Sequence, residues 1–375
     1  MRFEAFSCKP ILPLNLPVAG NGVGYQGKSQ YDELEMNGFS WSDDCENITI
    51  ASIDSLYAGD LWRELNYEVD FLASHTHFAP MLDSKKPNLG EFSNLAVKKW
   101  KNAFKKRELL SHEIDSIYYF TTNVNIPIYR RFDNKGNILG LFANRYVGMF
   151  PNFKEPIDNA TNIFLFCEQT KPKFCLVWHC CHPVSRRERN IYSADYISII
   201  RKSIRKRFGE MPVIFANGPS GDIRPCLLKK RFNNLPDWYL NRKFTEPNYS
   251  DELYVDKAHE EAIESLKFRG KFSNIIPKVK KSLLRVIGYK EIEVKTIFFG
   301  EQIGLCLLPF EVSHRYNNIA QKKGVFIASC SNDVLGYLPH ETQLNYGGYE
   351  VDKSREIMGL AKRIFVRDDD LYNVL

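Results

Sequence analysis

Eight short apolar or β-branched runs punctuate the chain, at residues 47–52, 68–74, 163–168, 174–180, 213–216, 294–299, 303–308 and 325–329. Runs of this length bounded by turn residues are strand candidates. Between several of them lie stretches of helical periodicity, at 94–110, 194–208, 251–266 and 352–365. The alternation predicts an α/β architecture, a layered β-sheet core flanked by helices. There is no internal repeat and no low-complexity segment, and prolines and glycines are spread over loops instead of marking a linker. Residues 1–375 are therefore expected to form a single domain.

Composition narrows the class. Apolar residues make up 44% and charged residues 26% of the 375 positions, which excludes a largely disordered chain. The longest apolar runs, such as 174–178, fall far short of the ~20 residues that cross a bilayer, so no transmembrane segment is expected. The amino terminus has an early acid, Glu4, and lacks the pattern of a secretory signal, which makes the cytoplasm the expected location. Lys plus Arg exceeds Asp plus Glu by 51 − 45 = 6, concentrated at 98–107, 201–207 and 267–285, runs expected to be solvated helix faces. With so small an excess and no recognised reader motif, no nucleic-acid partner is expected. The nine cysteines lack CxxC spacing, and six of them, Cys167, Cys175, Cys180, Cys181, Cys306 and Cys330, lie in or beside apolar runs. That is the pattern of reduced, buried thiols. Cys180 and Cys181 stand between two histidines, but strand neighbours point to opposite faces, so core packing is expected of them.

The chemistry lies where the strands end. One run opens into His75-Thr76-His77 and another ends at His182-Pro183. A third enters Asn217 to Asp222, a fourth passes through Pro309 to Glu311, and a fifth leads to Asn332-Asp333 with Gly336-Tyr337 beyond. In α/β folds the ligand crevice lies outside the carboxyl ends of strands, so five polar exits suggest one shared site. If the strand persists, His75 and His77 project from one face about 7 Å apart. Two imidazoles and a carboxylate, His75, His182 and Glu311, form a standard catalytic zinc set with an open position for water. Their separation along the chain is long, so spacing alone does not bring them together.

Several segments, in order, resemble the catalytic domain of neutral ceramidases and their single-domain relatives. They are Ala73-Ser74-His75-Thr76-His77-Phe78-Ala79-Pro80, Cys181-His182-Pro183, Ser193-Ala194-Asp195-Tyr196 and Gly221-Asp222-Ile223-Arg224-Pro225. Asn332-Asp333-Val334-Leu335-Gly336-Tyr337-Leu338-Pro339 and Tyr346-Gly347-Gly348-Tyr349-Glu350 complete the set. The resemblance runs from about Leu12, through the opening turn Pro17-Val18-Ala19-Gly20, to about Glu350. It implies a zinc cofactor held by His75, His182, Glu311 and Tyr337, with His77, Arg130, Tyr346 and Tyr349 as the remaining site residues. His77, Arg130 and Tyr346 would stabilise the oxyanion formed when water attacks an amide carbonyl.

Departures from that pattern bear on the substrate. Arg224 stands where the ceramidases place a serine that contacts the lipid alcohol, Pro309-Phe310-Glu311 replaces their proline-glycine-glutamate, and no carboxy-terminal immunoglobulin-like domain is expected. A guanidinium is a fixed cation with a fork that suits carboxylate or phosphate, and Arg186, Arg187 and Arg189 follow His182 closely. The expectation is a zinc-dependent amide hydrolase acting on a small, anionic molecule bound through Arg224 and Tyr349. A deacetylase of an acidic or nucleotide-linked N-acetyl amino sugar in glycan synthesis fits best. The alternatives are a ceramidase acting on N-acyl sphingoid lipids and a non-catalytic protein that binds an anionic ligand on the same fold; pairing of the arginines with Asp195, Asp222 or Glu188 would remove the reason for an anionic substrate. Nothing in the sequence specifies the oligomeric state.

Overall fold

The computed structural model describes residues 2–42, 47–66, 68–134, 146–226, 249–273, 275–301 and 303–375. Three sheets carry the architecture. The first orders Asp70–Ala73, Asn47–Ile53, Met36–Ser42, Arg2–Cys8 and Leu110–Glu113. The second orders Val213–Asn217, Lys171–His179, Ala160–Glu168, Ser116–Asn123 and Lys267–Ser273. The third orders Pro277–Arg285, Glu291–Phe299, Ile303–Leu307 and Val325–Ala328. All eight strands anticipated from the apolar runs are present, and the layered α/β expectation holds.

Alternation within the strands explains how the sheets stack. In Ala160–Glu168, Phe164 and Phe166 face a core shared by all three sheets, while Ile163, Leu165 and Cys167 face the helices Tyr196–Phe208 and Tyr249–Glu264. A strand buried on both faces has to be apolar throughout, which is why this one was legible as an unbroken run. The shared core is aromatic: Phe39 stacks on Phe174 at 4.8 Å, Phe174 on Phe166 at 4.4 Å, and Phe166 meets Phe299 edge-on at 5.1 Å. One ring from the first sheet, two from the second and one from the third thus lock the layers together, each fully buried ring contributing roughly 1.5–3 kcal/mol. The adjacent thiols part as strand geometry requires, Cys180 joining the shared core and Cys181 the helix-covered one.

Each large sheet is mainly antiparallel but ends in one parallel pair: Asn47–Ile53 with Asp70–Ala73, Lys171–His179 with Val213–Asn217, and Ile303–Leu307 with Val325–Ala328. The segment after Val325–Ala328 ties the three pairs to one another. Ser329 N–H donates to Asn217 O at 2.7 Å, Cys330 N–H to Phe310 O at 2.9 Å, and Ala73 N–H to Cys330 O at 3.2 Å. Strand exits from three sheets are thereby gathered at one place.

Three expectations are corrected. The stretch 352–365 is not one helix: a π-helical turn Tyr349–Lys353 leads into Ser354–Ile357, and Gly359, at φ 70°, ends it. The basic run 267–285 forms two strands instead of a helix face. Within 201–207, Arg201 is buried, not solvated. No described helix is long and apolar enough to cross a membrane.

The eight described cysteines are all free, six of them buried. Thiol labelling of denatured protein without reductant is expected to count nine; a lower count restored by reductant would reveal a disulfide and contradict the expected reducing compartment.

Candidate metal centre and its cleft

The strand Asp70–Ala73 stops before His75, whose φ of 66° lies in the left-handed region. The two imidazoles of His-Thr-His therefore do not share a strand face: their rings meet edge-on with centroids 5.2 Å apart, closer than the expected 7 Å. His75 is held in this strained conformation by the segment leaving the neighbouring parallel strand. Its N–H donates to Ser55 O at 2.9 Å and its Nδ1 lies 3.1 Å from Leu56 O. His182 is fixed the same way from the second sheet, with Nδ1 2.6 Å from Ser220 O. Glu311 follows the exit of the third sheet's strand Ile303–Leu307, on the short strand Phe310–Val312, which forms a separate two-stranded parallel sheet with Gly336–Leu338 so that Glu311 stands directly opposite Tyr337.

These placements bring three acceptors face to face. The Nε2 atoms of His75 and His182 are 3.2 Å apart, and Oε2 of Glu311 lies 3.2 Å from the first and 3.3 Å from the second. With each Nδ1 beside a carbonyl that can take its hydrogen, the neutral form of either imidazole turns an Nε2 lone pair toward Glu311. Three buried ligand-type atoms thus converge on one point, an arrangement suited to holding a cation. Four-coordinate zinc with nitrogen and oxygen ligands at ~2.0–2.2 Å sets neighbouring ligand atoms roughly 3.3–3.6 Å apart, so the donor set and its spacing fit such an ion. His77 also offers a ring nitrogen within 4.8 Å of those of His75 and His182, but the contacts through Glu311 are tighter.

Electrostatics sharpen the roles. Burial would raise the Glu311 carboxyl, but His75 and His182 hold it well below the usual carboxylate range. Burial, with His75 and His182 adding to it, drives the His77 imidazole well below its ordinary value, so it stays neutral, and its Nε2 is buried with no hydrogen-bond partner among the described residues. Burial and Glu311 push the Tyr337 hydroxyl well above the tyrosine range while Arg130 pulls the other way. A divalent cation at the cluster would act in the direction of Arg130. Arg130 donates from Nη2 to Tyr337 Oη at 3.3 Å and from Nε to Glu350 at 2.8 Å.

A cleft of about 290 Å³ opens onto this cluster, and His77, His182, Arg130, Tyr337, Tyr349 and Arg224 all line it. Of the residues anticipated from the sequence, Tyr346 is the one the structure does not bring here. It follows the helix Glu341–Leu344, is 44% exposed and is absent from the cleft wall. Asn332 and Asp333 also stay outside: Asn332 braces Asp70 at 3.0 Å, and Asp333 pairs with Arg63 at 2.7 Å and Lys85 at 2.9 Å. Their strand exit delivers Cys330 against His75 and Tyr337 to the cleft.

Three contributors escaped sequence reasoning. Tyr57 donates its hydroxyl to Glu311 Oε1 and lies just past the end of Asn47–Ile53, where no imidazole or carboxylate cluster marks the strand's exit in the sequence. Glu350 clamps Arg130 and Arg131 together; it closed the last recognised motif but had no role assigned. Gly20, at φ 89°, lies so close to the His77 ring that an added Cβ would come within 2.5 Å of it, so the opening turn packs directly on a site residue.

No family model matches the chain, and no curated protein matches it in sequence. Solved structures do. The neutral ceramidase from Pseudomonas aeruginosa superposes with a TM-score of 0.66 at 11% identity, covering 93% of this chain and 70% of that one. A ceramidase complexed with C2 superposes with a TM-score of 0.62, again at 11% identity, over 93% of this chain and 71% of that one. The chain has the neutral-ceramidase fold, as its ordered motifs implied.

Proposed function

We propose that this chain, built on the neutral-ceramidase fold, is a zinc-dependent amide hydrolase. The observation that carries the reading is the convergence of His75 Nε2, His182 Nε2 and Glu311 Oε2 within 3.3 Å of one another. His75, His182 and Glu311 would hold the ion, with Tyr337 adjoining as a fourth ligand. When bound, zinc would polarise an amide carbonyl and lower the pKa of a coordinated water toward ~7.

The protein's own groups do the rest. Arg130, kept in place by Glu350, presents a permanent cation beside Tyr337 on the cleft wall, where charge develops on the carbonyl oxygen. His77, neutral and with Nε2 unpartnered, is available to give a hydrogen bond to the same oxygen. Tyr349 packs edge-on against Tyr337 at 5.6 Å and closes that side of the cleft. Tyr57 and the carbonyls of Leu56 and Ser220 keep Glu311 and the two imidazoles oriented.

For the substrate, the structural likeness to ceramidases supports an N-acyl lipid amide over the N-acetyl amino sugar favoured by the sequence. A non-catalytic role is disfavoured by four ligand-type residues brought together from distant parts of the chain, two just past strand ends and two on short strands.

Metal analysis of undenatured protein, followed by acyl-release assays on lipid amides and N-acetylated amino sugars, tests this reading. About one zinc per chain is expected, with hydrolysis lost on chelation and regained on adding zinc. Less than about 0.2 zinc per chain, with no recovery of binding or activity, rejects it. Faster release from the sugars would restore the deacetylase reading.

A further inference from the structure

Four guanidinium groups, those of Arg130, Arg186, Arg189 and Arg224, face the cleft, and no Asp or Glu is among its described wall residues. Arg130 is committed to Glu350 and Tyr337. Arg186 is the telling one. Its side chain is wholly buried and Nη1 binds both oxygens of Asp256, at 2.8 and 2.9 Å, so pairing does occur here, but with an acid the sequence did not single out. Nε and Nη2 of the same group are buried with no hydrogen-bond partner among the described residues. A guanidinium cannot shed its proton, so these N–H groups call for an acceptor.

Arg224 reaches the same cleft from the strand Ile223–Pro225, which pairs with Pro127–Asn134, the strand that also carries Arg130. Arg189 approaches from the segment after His182, with Nη1 3.3 Å from Tyr25 Oη. Three forks from two segments, the loop after His182 and the strand Ile223–Pro225, form a wall beside the metal-type cluster suited to bidentate capture of an oxyanion. At about 290 Å³ the cleft has the size of a compact polar head group.

Resting on the amide-hydrolase reading, we propose that Arg186, Arg189 and Arg224 form an oxyanion subsite beside the metal cluster, so that the substrate is an N-acylated amine bearing a carboxylate or phosphate near the scissile bond. The scaffold that carries the anion, lipid or sugar, is a separate question that the substrate series below answers.

Inorganic phosphate is titrated calorimetrically into zinc-loaded protein, into the Arg189→Gln/Arg224→Gln double variant and into His75→Ala. Binding at about 1 mM or tighter is expected in the parent and in His75→Ala, weakened at least about tenfold in the double variant. Arg224 is only partly buried, so Arg224→Gln alone carries the same comparison if the double variant does not fold. Phosphate binding that disappears in His75→Ala and survives in the arginine variants places the anion on the metal and overturns the subsite, as does no binding to the parent.

The second arm compares matched N-acyl amines carrying phosphate, carboxylate or hydroxyl at one position, on lipid and on amino-sugar scaffolds. The anionic members are expected to exceed the neutral ones at least about tenfold in kcat/KM, with the ratio collapsing in the arginine variants. Equal rates on charged and neutral substrates overturn the subsite while leaving the hydrolase reading intact. Phosphate held by the arginines in a protein that cleaves no amide does the reverse.

Discussion

Replacing His75 or His182 by alanine is expected to cut amide hydrolysis by at least about 100-fold, a loss of roughly 2.7 kcal/mol or more in transition-state stabilisation. It is also expected to abolish the rise in thermal midpoint that zinc confers on the parent. The second readout separates loss of the metal from loss of the fold. The midpoints of metal-free parent and variants give the baseline for that shift, because truncating a buried imidazole that faces Glu311 has a cost of its own. With zinc at 100 times its dissociation constant the parent gains about 2.7 kcal/mol, and the variants little of it. Near-normal turnover in both variants, or an undiminished zinc shift, would place the metal centre elsewhere.

Arg201→Met is expected to destabilise the protein by about 3–5 kcal/mol, a large part of the 5–15 kcal/mol that typically holds a domain folded. Arg201 lies on the helix Tyr196–Phe208, 1% exposed, and its two terminal nitrogens donate to Asp54 at 2.5 and 2.7 Å. Asp54 is fully buried, so losing the guanidinium leaves an unpaired carboxylate in the interior. The consequence extends to the site, because Asp54 begins the segment whose Ser55 and Leu56 carbonyls hold His75 and whose Tyr57 holds Glu311. Urea unfolding should therefore show a lower midpoint, and zinc affinity should fall as well. The double variant Asp54→Leu/Arg201→Met should recover most of the stability, since replacing both charges removes the uncompensated one. A loss below about 1 kcal/mol in the single variant would mean that the pair contributes no more than an exposed ion pair.

Arg201 also marks where the sequence misleads. It sits in a run of basic residues on an amphipathic helix, and composition assigns such runs to solvent. Helical periodicity sets it on the face of Ile197 and Ile204, unlike the exposed Lys202 and Lys206, but only the arrival of Asp54, 147 positions away, gives a cation on that face a partner in the interior. Tyr346 shows the converse. It belongs to a recognised motif, but the turn that carries Gly347 and Gly348 delivers Tyr349 and Glu350 inward and leaves Tyr346 at the surface.

What the sequence determined by itself is what short-range physics can express. Apolar runs of strand length specified the buried strands, since a strand covered on both faces must be apolar throughout. Polar residues immediately after those runs marked His75, His182 and Glu311, because a strand's end is where its chain can leave the core and meet a ligand. Tertiary structure alone decided that these ends meet. The Ser329 to Cys330 segment draws exits from three sheets together, and the 3.2–3.3 Å convergence depends on hydrogen bonds from the imidazoles to the carbonyls of Leu56 and Ser220, each remote in sequence from the imidazole it orients. It also decided which arginines are internal partners and which face the cleft, because a charge's role depends on the acids packed around it, and no local pattern encodes those neighbours.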